Sequence, residues 1–194
     1  MNKRNKTLVL LLFFMTHDFM THDLYSPIHM HPLTIDTHCD ILYTTAKKED
    51  RDLKRLSTRD HQWSIPLAKK GGMCLKVCAI YTTEWRKKPG ECLQVGARIA
   101  GIFRRILAKY PRDVVHVTDS RQIRETHRRG KLGLLLSIEG PECIEGDLDI
   151  LRAFAAVGVR IFGLAWNPAN PLATGCAGNP RTKLTHLGRE ALKA

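Results

Sequence analysis

From Leu33 onward, short apolar runs alternate with longer amphipathic stretches, and few folds accommodate that pattern. Strands joined by helical crossovers run parallel, because each crossover returns the chain to the same end of the sheet, so the pattern predicts an α/β fold built on a parallel sheet. Four runs read as major strands: 33–42, 73–81 (MCLKVCAIY), 131–138 (KLGLLLSI) and 159–165, with 114–117 as a short extended piece. KLGLLLSI is apolar nearly throughout, as a strand covered on both faces should be. A helix over 91–110 carries the stripe Leu93, Ala97, Ala100, Phe103, Ile106 and Leu107 and ends before Pro111. Asp119 and Ser120 are N-cap residues for a polar helix over 121–129 that Gly130 stops. Asp147 caps another helix with the stripe Leu148, Leu151, Phe154 and Ala155, closed by Gly158. The charged segment 52–70 reads as loop, with Pro66 and Gly71-Gly72 as stops, and a Gly/Pro/Asn-rich loop runs from Trp166 to Arg181 before Thr185 caps a last helix from His186. An eight-unit barrel typically takes about 250 residues. This chain has 194, so it reads as a parallel (β/α) barrel truncated to about its first four βα units.

Composition narrows the function classes. No apolar run approaches the roughly 18 residues of a membrane-spanning helix. The net charge of +12 raises nucleic acid as a partner. Yet the basic clusters, such as Lys69-Lys70, Arg104-Arg105 and Arg128-Arg129, are scattered beside helices and turns without interleaved aromatic rings, so a solvated surface is expected and no specific nucleic acid. Six cysteines show no C-x-x-C spacing, and Cys39, Cys74, Cys78 and Cys143 lie in or beside apolar segments, as buried reduced thiols do. Residues 1–32 form a separate leader: a basic start, an apolar block at 8–15 and a repeated Met-Thr-His-Asp, with no small-residue cleavage site following. Either a disordered leader or an over-extended start fits. A cytoplasmic location is expected, or a secreted or membrane-associated one if residues 1–15 act as a signal.

The sharpest local feature is Asp36-Thr37-His38-Cys39-Asp40. On a strand, His38 and Asp40 project to the same face, at the end where barrel enzymes place their catalysts. Glu139 closes KLGLLLSI, where a carboxylate is costly to bury without a cation or hydrogen-bond partner. If both strands share a sheet, three N/O donors converge as a Zn²⁺-type site would require. The same residues also suit a hydrogen-bonded His–Asp pair, with Glu139 capping a helix or pairing with an arginine.

THCD, LSIEGPECI, DLDILRAFAAVGVRIFGLAWNPAN and LTHLGREALKA, in this order from about Thr34 to the last residue, resemble the membrane dipeptidase (renal dipeptidase) family of zinc peptidases. The resemblance implies a (β/α) barrel of the amidohydrolase type with two zinc ions, cleaving dipeptides, in some members D-amino-acid-containing ones. By position it makes His38 and Asp40 ligands of one ion and Glu139 the bridge to a second. The family's second-ion histidines, and its substrate-binding arginine and proton-transfer aspartate, lie on later strands that have no counterpart here. The expectation is therefore an incomplete, inactive fragment that holds at most one ion well. Trp166 stands where animal enzymes carry a substrate-contacting histidine. Trp166 and Asn167 are thus expected to shape the substrate pocket, with a plain hydrophobic lid as the alternative for Trp166. Expected partners are a dipeptide substrate and either the missing C-terminal half or a second copy joined through open strand edges. Two other functions stay open: another amidohydrolase-like enzyme, such as a deaminase or lactonase, and a basic nucleic-acid-binding module. The Glu-Gly at 139–140 counts against the former, where many enzymes use a carboxylated lysine.

Overall fold

A computed structural model describes residues 34–49, 53–58, 63–86, 88–179, 181 and 184–194. The leader lies outside the described residues, as does Leu33. In chain order the elements are β1 (Thr34–Asp36), α1 (Ile41–Lys47), α2 (Ile65–Lys70), β2 (Met73–Tyr81), α3 (Glu91–Lys109), β3 (Val114–His116), α4 (Ser120–Arg128), β4 (Leu132–Glu139), α5 (Leu148–Val157), β5 (Val159–Phe162) and α6 (His186–Ala191). Every strand pairing is parallel. β2 lies between β1 and β4, and the far edge of β4 is shared: β3 pairs with Leu132–Leu134 and β5 with Leu136–Ile138. The short extended piece is thus a fifth strand that covers the lower half of an edge the βα count assigns to β5 alone.

Alternation divides the central strands. Cys78 and Ile80 of β2, with Leu132, Leu134, Leu136 and Ile138 of β4, join the main core against α3, while Leu75 packs with Val117 in a smaller cluster. α3 contributes Val95, Ile99, Ile102, Phe103 and Ile106. Two expected stripe residues, Ala97 on α3 and Ala155 on α5, are exposed instead. On α3 the buried face runs through Cys92, Val95 and Gly96, because Gly96 lets the Cys143 side chain press directly on the helix.

Local chemistry explains where elements begin and end. Asp119 Oδ1 accepts from Gln122 N–H (3.0 Å), Asp147 Oδ1 from Asp149 N–H (2.8 Å) and Thr185 Oγ1 from Gly188 N–H (2.9 Å), each satisfying an amide the helix leaves open. The segment expected as loop over 52–70 holds α2 and a 3-10 turn at Lys54–Ser57. Pro66 acts there as part of a helix start, since proline lacks a donor the first turn does not use, and Leu53, Leu56 and Ile65 are buried in the main core. The first strand is shorter than expected, ending at Asp36 because Asp36 Oδ1 accepts the N–H of His38 (3.1 Å) and draws the chain out of its extended path. The last strand ends at Phe162 instead of Ala165. Cys74, Cys78, Cys92 and Cys143 are buried and free, and burial pushes the Cys143 thiol up to about 12.

Gly158 ends α5 in the left-handed region (φ +112°), directly under the ring of His116, whose Nε2 donates to Gly158 O (3.3 Å). A Cβ there meets both backbone strain and that ring. Gly158→Ala is expected to destabilise the chain by about 1–3 kcal/mol in urea unfolding.

Candidate metal centre

The site forms where β1, β2 and β4 end on one side of the sheet. β2 and β4 run in register for seven pairs, from Leu75↔Gly133 to Tyr81↔Glu139, so Tyr81 and Glu139 finish side by side. Beyond β1, residues 37–40 loop over the same end before α1. Cys39 O accepts the N–H of Ala79 (3.0 Å), which holds this loop against β2. Asp40 is the N-cap of α1 but makes no side-chain capping bond, which leaves its carboxylate turned to His38.

His38 Nε2 lies 3.1 Å from Glu139 Oε2 and 3.6 Å from Asp40 Oδ1. One donor atom from each of the three residues falls within 4.8 Å of the others, a grouping that could hold a metal ion. The three residues the sequence singles out do converge. The route differs from the expected one, because His38 and Asp40 sit on a loop and not at alternate positions of a strand. Asp40 and then Glu139 hold the His38 imidazole protonated up to about 10, against the opposing effect of burial. A positive charge is what this trio of one imidazole and two carboxylates requires, and a divalent cation meets that requirement with the imidazole neutral.

Beside the trio runs a row of aromatic rings in edge-to-face contact: Trp85 to Tyr43 (5.3 Å between centroids), Tyr43 to Tyr81 (5.4 Å) and Tyr81 to Trp166 (5.2 Å). Trp166 is partly exposed and packs on Gly140, next to Glu139. Its position suits the wall of a pocket. Asn167 is turned into its own loop: its Oδ1 accepts from Cys176 Sγ (2.8 Å) and its carbonyl from Ala177 N–H (2.8 Å). Its contribution is the shape of the 167–177 segment. Tyr43 O–H donates to Glu84 Oε2 (2.6 Å) and accepts from Lys47 (2.7 Å), which secures the outer end of the row.

Sequence reasoning missed Tyr43, Tyr81, Trp85 and Glu142. Tyr81 was the readable one, as the last residue of a strand whose neighbour ends in Glu139. Glu142 gave no local sign: its carboxylate lies against Gly140 beside Trp166, buried, with neither oxygen partnered among the described residues. Among those residues, no helix is long and apolar enough to cross a membrane.

Solved structures share this fold. The chain superposes on a dipeptidase AC described as a metallo peptidase of family M19 (TM-score 0.71, 21% identity, 83% of this chain and 54% of that one). It also superposes on a metallo peptidase from Rhodobacter sphaeroides liganded with a phosphinate mimic of the dipeptide L-Ala-D-Ala (TM-score 0.72, 20% identity, 83% and 55%). An amidohydrolase from Pseudomonas aeruginosa matches as well (TM-score 0.60, 20% identity, 83% and 42%). The parallel α/β architecture is the one these proteins share, and the chain spans about half their length. The sequence itself matches the membrane dipeptidase family across residues 23–194, a range that contains every element of the sheet and all three members of the trio. By that match this chain belongs to the membrane dipeptidase family, peptidase family M19.

Proposed function

We propose that residues 33–194 form the metal-binding half of a metal-dependent dipeptidase barrel, in which His38, Asp40 and Glu139 hold a zinc-like divalent ion. The observation that carries this is the convergence of their donor atoms within 4.8 Å at the open end of the sheet. The donor set fits: one imidazole and two carboxylates are ordinary ligands of Zn²⁺ in catalytic sites, where further positions stay open. When bound, such an ion polarises a carbonyl and acidifies water.

The chain's own residues supply the rest. His38 and Asp40 would hold such an ion from the loop after β1 and Glu139 from the end of β4, the two strands that flank β2. Glu139, with two carboxylate oxygens, would be the member of the trio able to serve a second ion in the complete barrel. Tyr81 and Trp166 wall one side, taking up an apolar portion of a dipeptide and keeping bulk water from it. The described residues provide three donors, enough for one ion; dipeptide hydrolysis is a proposal for the whole barrel.

The 194-residue polypeptide is expected to bind about one Zn²⁺ by elemental analysis. His38→Ala or Glu139→Ala should lower that to well under half an equivalent, and unchanged stoichiometry in both would refute the assignment. The same polypeptide should show no chelator-sensitive release of amino acids from a dipeptide.

The pH dependence has a definite sign. His38 is protonated up to about 10 without metal, so the ion must displace that proton. Between pH 6 and 8, Zn²⁺ affinity should rise by about tenfold per unit, and calorimetry in buffers of different ionisation enthalpy should register close to one proton released at pH 7. In the metal-free chain the raised His38 pKa gives a stabilisation that is complete below its ordinary value of 6.5 and is lost as pH climbs through about 10.

A further inference from the structure

We propose that Asp36 is a positioning residue for His38, oriented by the buried ammonium of Lys76. This rests on the reading of His38 as a metal ligand. Lys76 lies in the middle of β2 with 3% of its surface exposed. Its Nζ bonds Asp36 Oδ2, its register partner on β1, and lies 5.4 Å from the centroid of the Trp63 ring. Only the lysine is withdrawn from water, the Asp36 side chain being 35% exposed, and an ion pair that strips one partner of its hydration is a poor source of stability. The remaining oxygen does what an apolar residue cannot: Asp36 Oδ1 accepts the backbone N–H of His38 at 3.1 Å.

The carboxylate therefore has one partner per oxygen. Lys76 sets its orientation from the rigid central strand, and the carboxylate in turn sets the backbone at position 38. The next two residues are held by main-chain bonds, Cys39 O from Ala79 N–H (3.0 Å) and Asp40 O from Thr44 N–H (2.9 Å). Residue 38 alone of the three depends on a side chain for its backbone anchor. Its imidazole is half exposed, so little else holds it at 3.1 Å from Glu139. Outer partners of this kind typically change metal affinity by about 10–100-fold when removed.

Two double variants of the full 194-residue chain separate positioning from mere packing, because each removes both charges together and leaves the buried site with no unpaired lysine. Asp36→Asn with Lys76→Met keeps an oxygen able to accept from His38 N–H; Asp36→Ala with Lys76→Met does not. The probe is Co²⁺ alone, followed by visible absorption, together with hydrogen exchange of the His38 amide in metal-free protein. The alanine variant should bind Co²⁺ about 10–100-fold more weakly with an altered spectrum, while the asparagine variant stays within about threefold of the parent. The His38 amide should exchange at least about tenfold faster in the alanine variant alone. Equal Co²⁺ affinity and equal exchange in the two variants overturn the proposal, even if their melting temperatures differ. If the parent takes up no Co²⁺, the metal reading itself falls, and the exchange rates then decide the positioning role: faster in the alanine variant supports it, no difference overturns it.

Discussion

The parallel pairing of β2 with β4 is the constraint on which the rest of this molecule depends. Its unbroken register brings Tyr81 and Glu139 to the same level at the end of the sheet, and a slip of one residue would turn Glu139 to the opposite face. Close approach is possible because Gly133 faces Cys74 O and Val117, where a Cβ would crowd both. β1 and β5 then attach on either side of this pair. The loop that carries His38 and the one that carries Trp166 thereby reach the mouth from opposite directions.

Charge is distributed along this part of the sheet in two layers. At the mouth, His38 stands between two carboxylates and takes a proton to balance them. One step inward along the strands, a partly exposed Asp36 is balanced by the buried Lys76. The inner pair is not what stability alone favours, because a buried ammonium gives up hydration that its partner only partly returns. Local conflict of this kind, set in an otherwise apolar β2 and β4, is where a functional site is expected.

Much of this was legible in the residues. MCLKVCAIY matches β2 end to end, and Asp147 with Gly158 brackets α5 as read, since an N-cap acceptor and a left-handed glycine act within a few residues of themselves. Other features escaped for equally physical reasons. Pro66 looks like a stop until Ser64 and the burial of Ile65 make it a helix start. Ala97 and Ala155 fit a helical stripe, yet alanine is small enough to lie on either face, and the contacts of Gly96 with Cys143 and Phe154 show the α3 surface that is in fact covered. A single lysine in the middle of an apolar strand was visible in the sequence, but its partner was not.

The sequence by itself determined the major strands, the helices α3 to α6 between and after them, their parallel arrangement and the choice of His38, Asp40 and Glu139 as candidates, because periodicity, capping and the cost of an acid at the end of an apolar strand are local properties. Tertiary structure alone decided that β3 shares an edge of β4 with β5, that Asp36 is paired with Lys76, and that four rings from four segments line up beside the trio. Those outcomes depend on register and on contacts between residues some forty to a hundred positions apart, for which no neighbouring residue carries a signal.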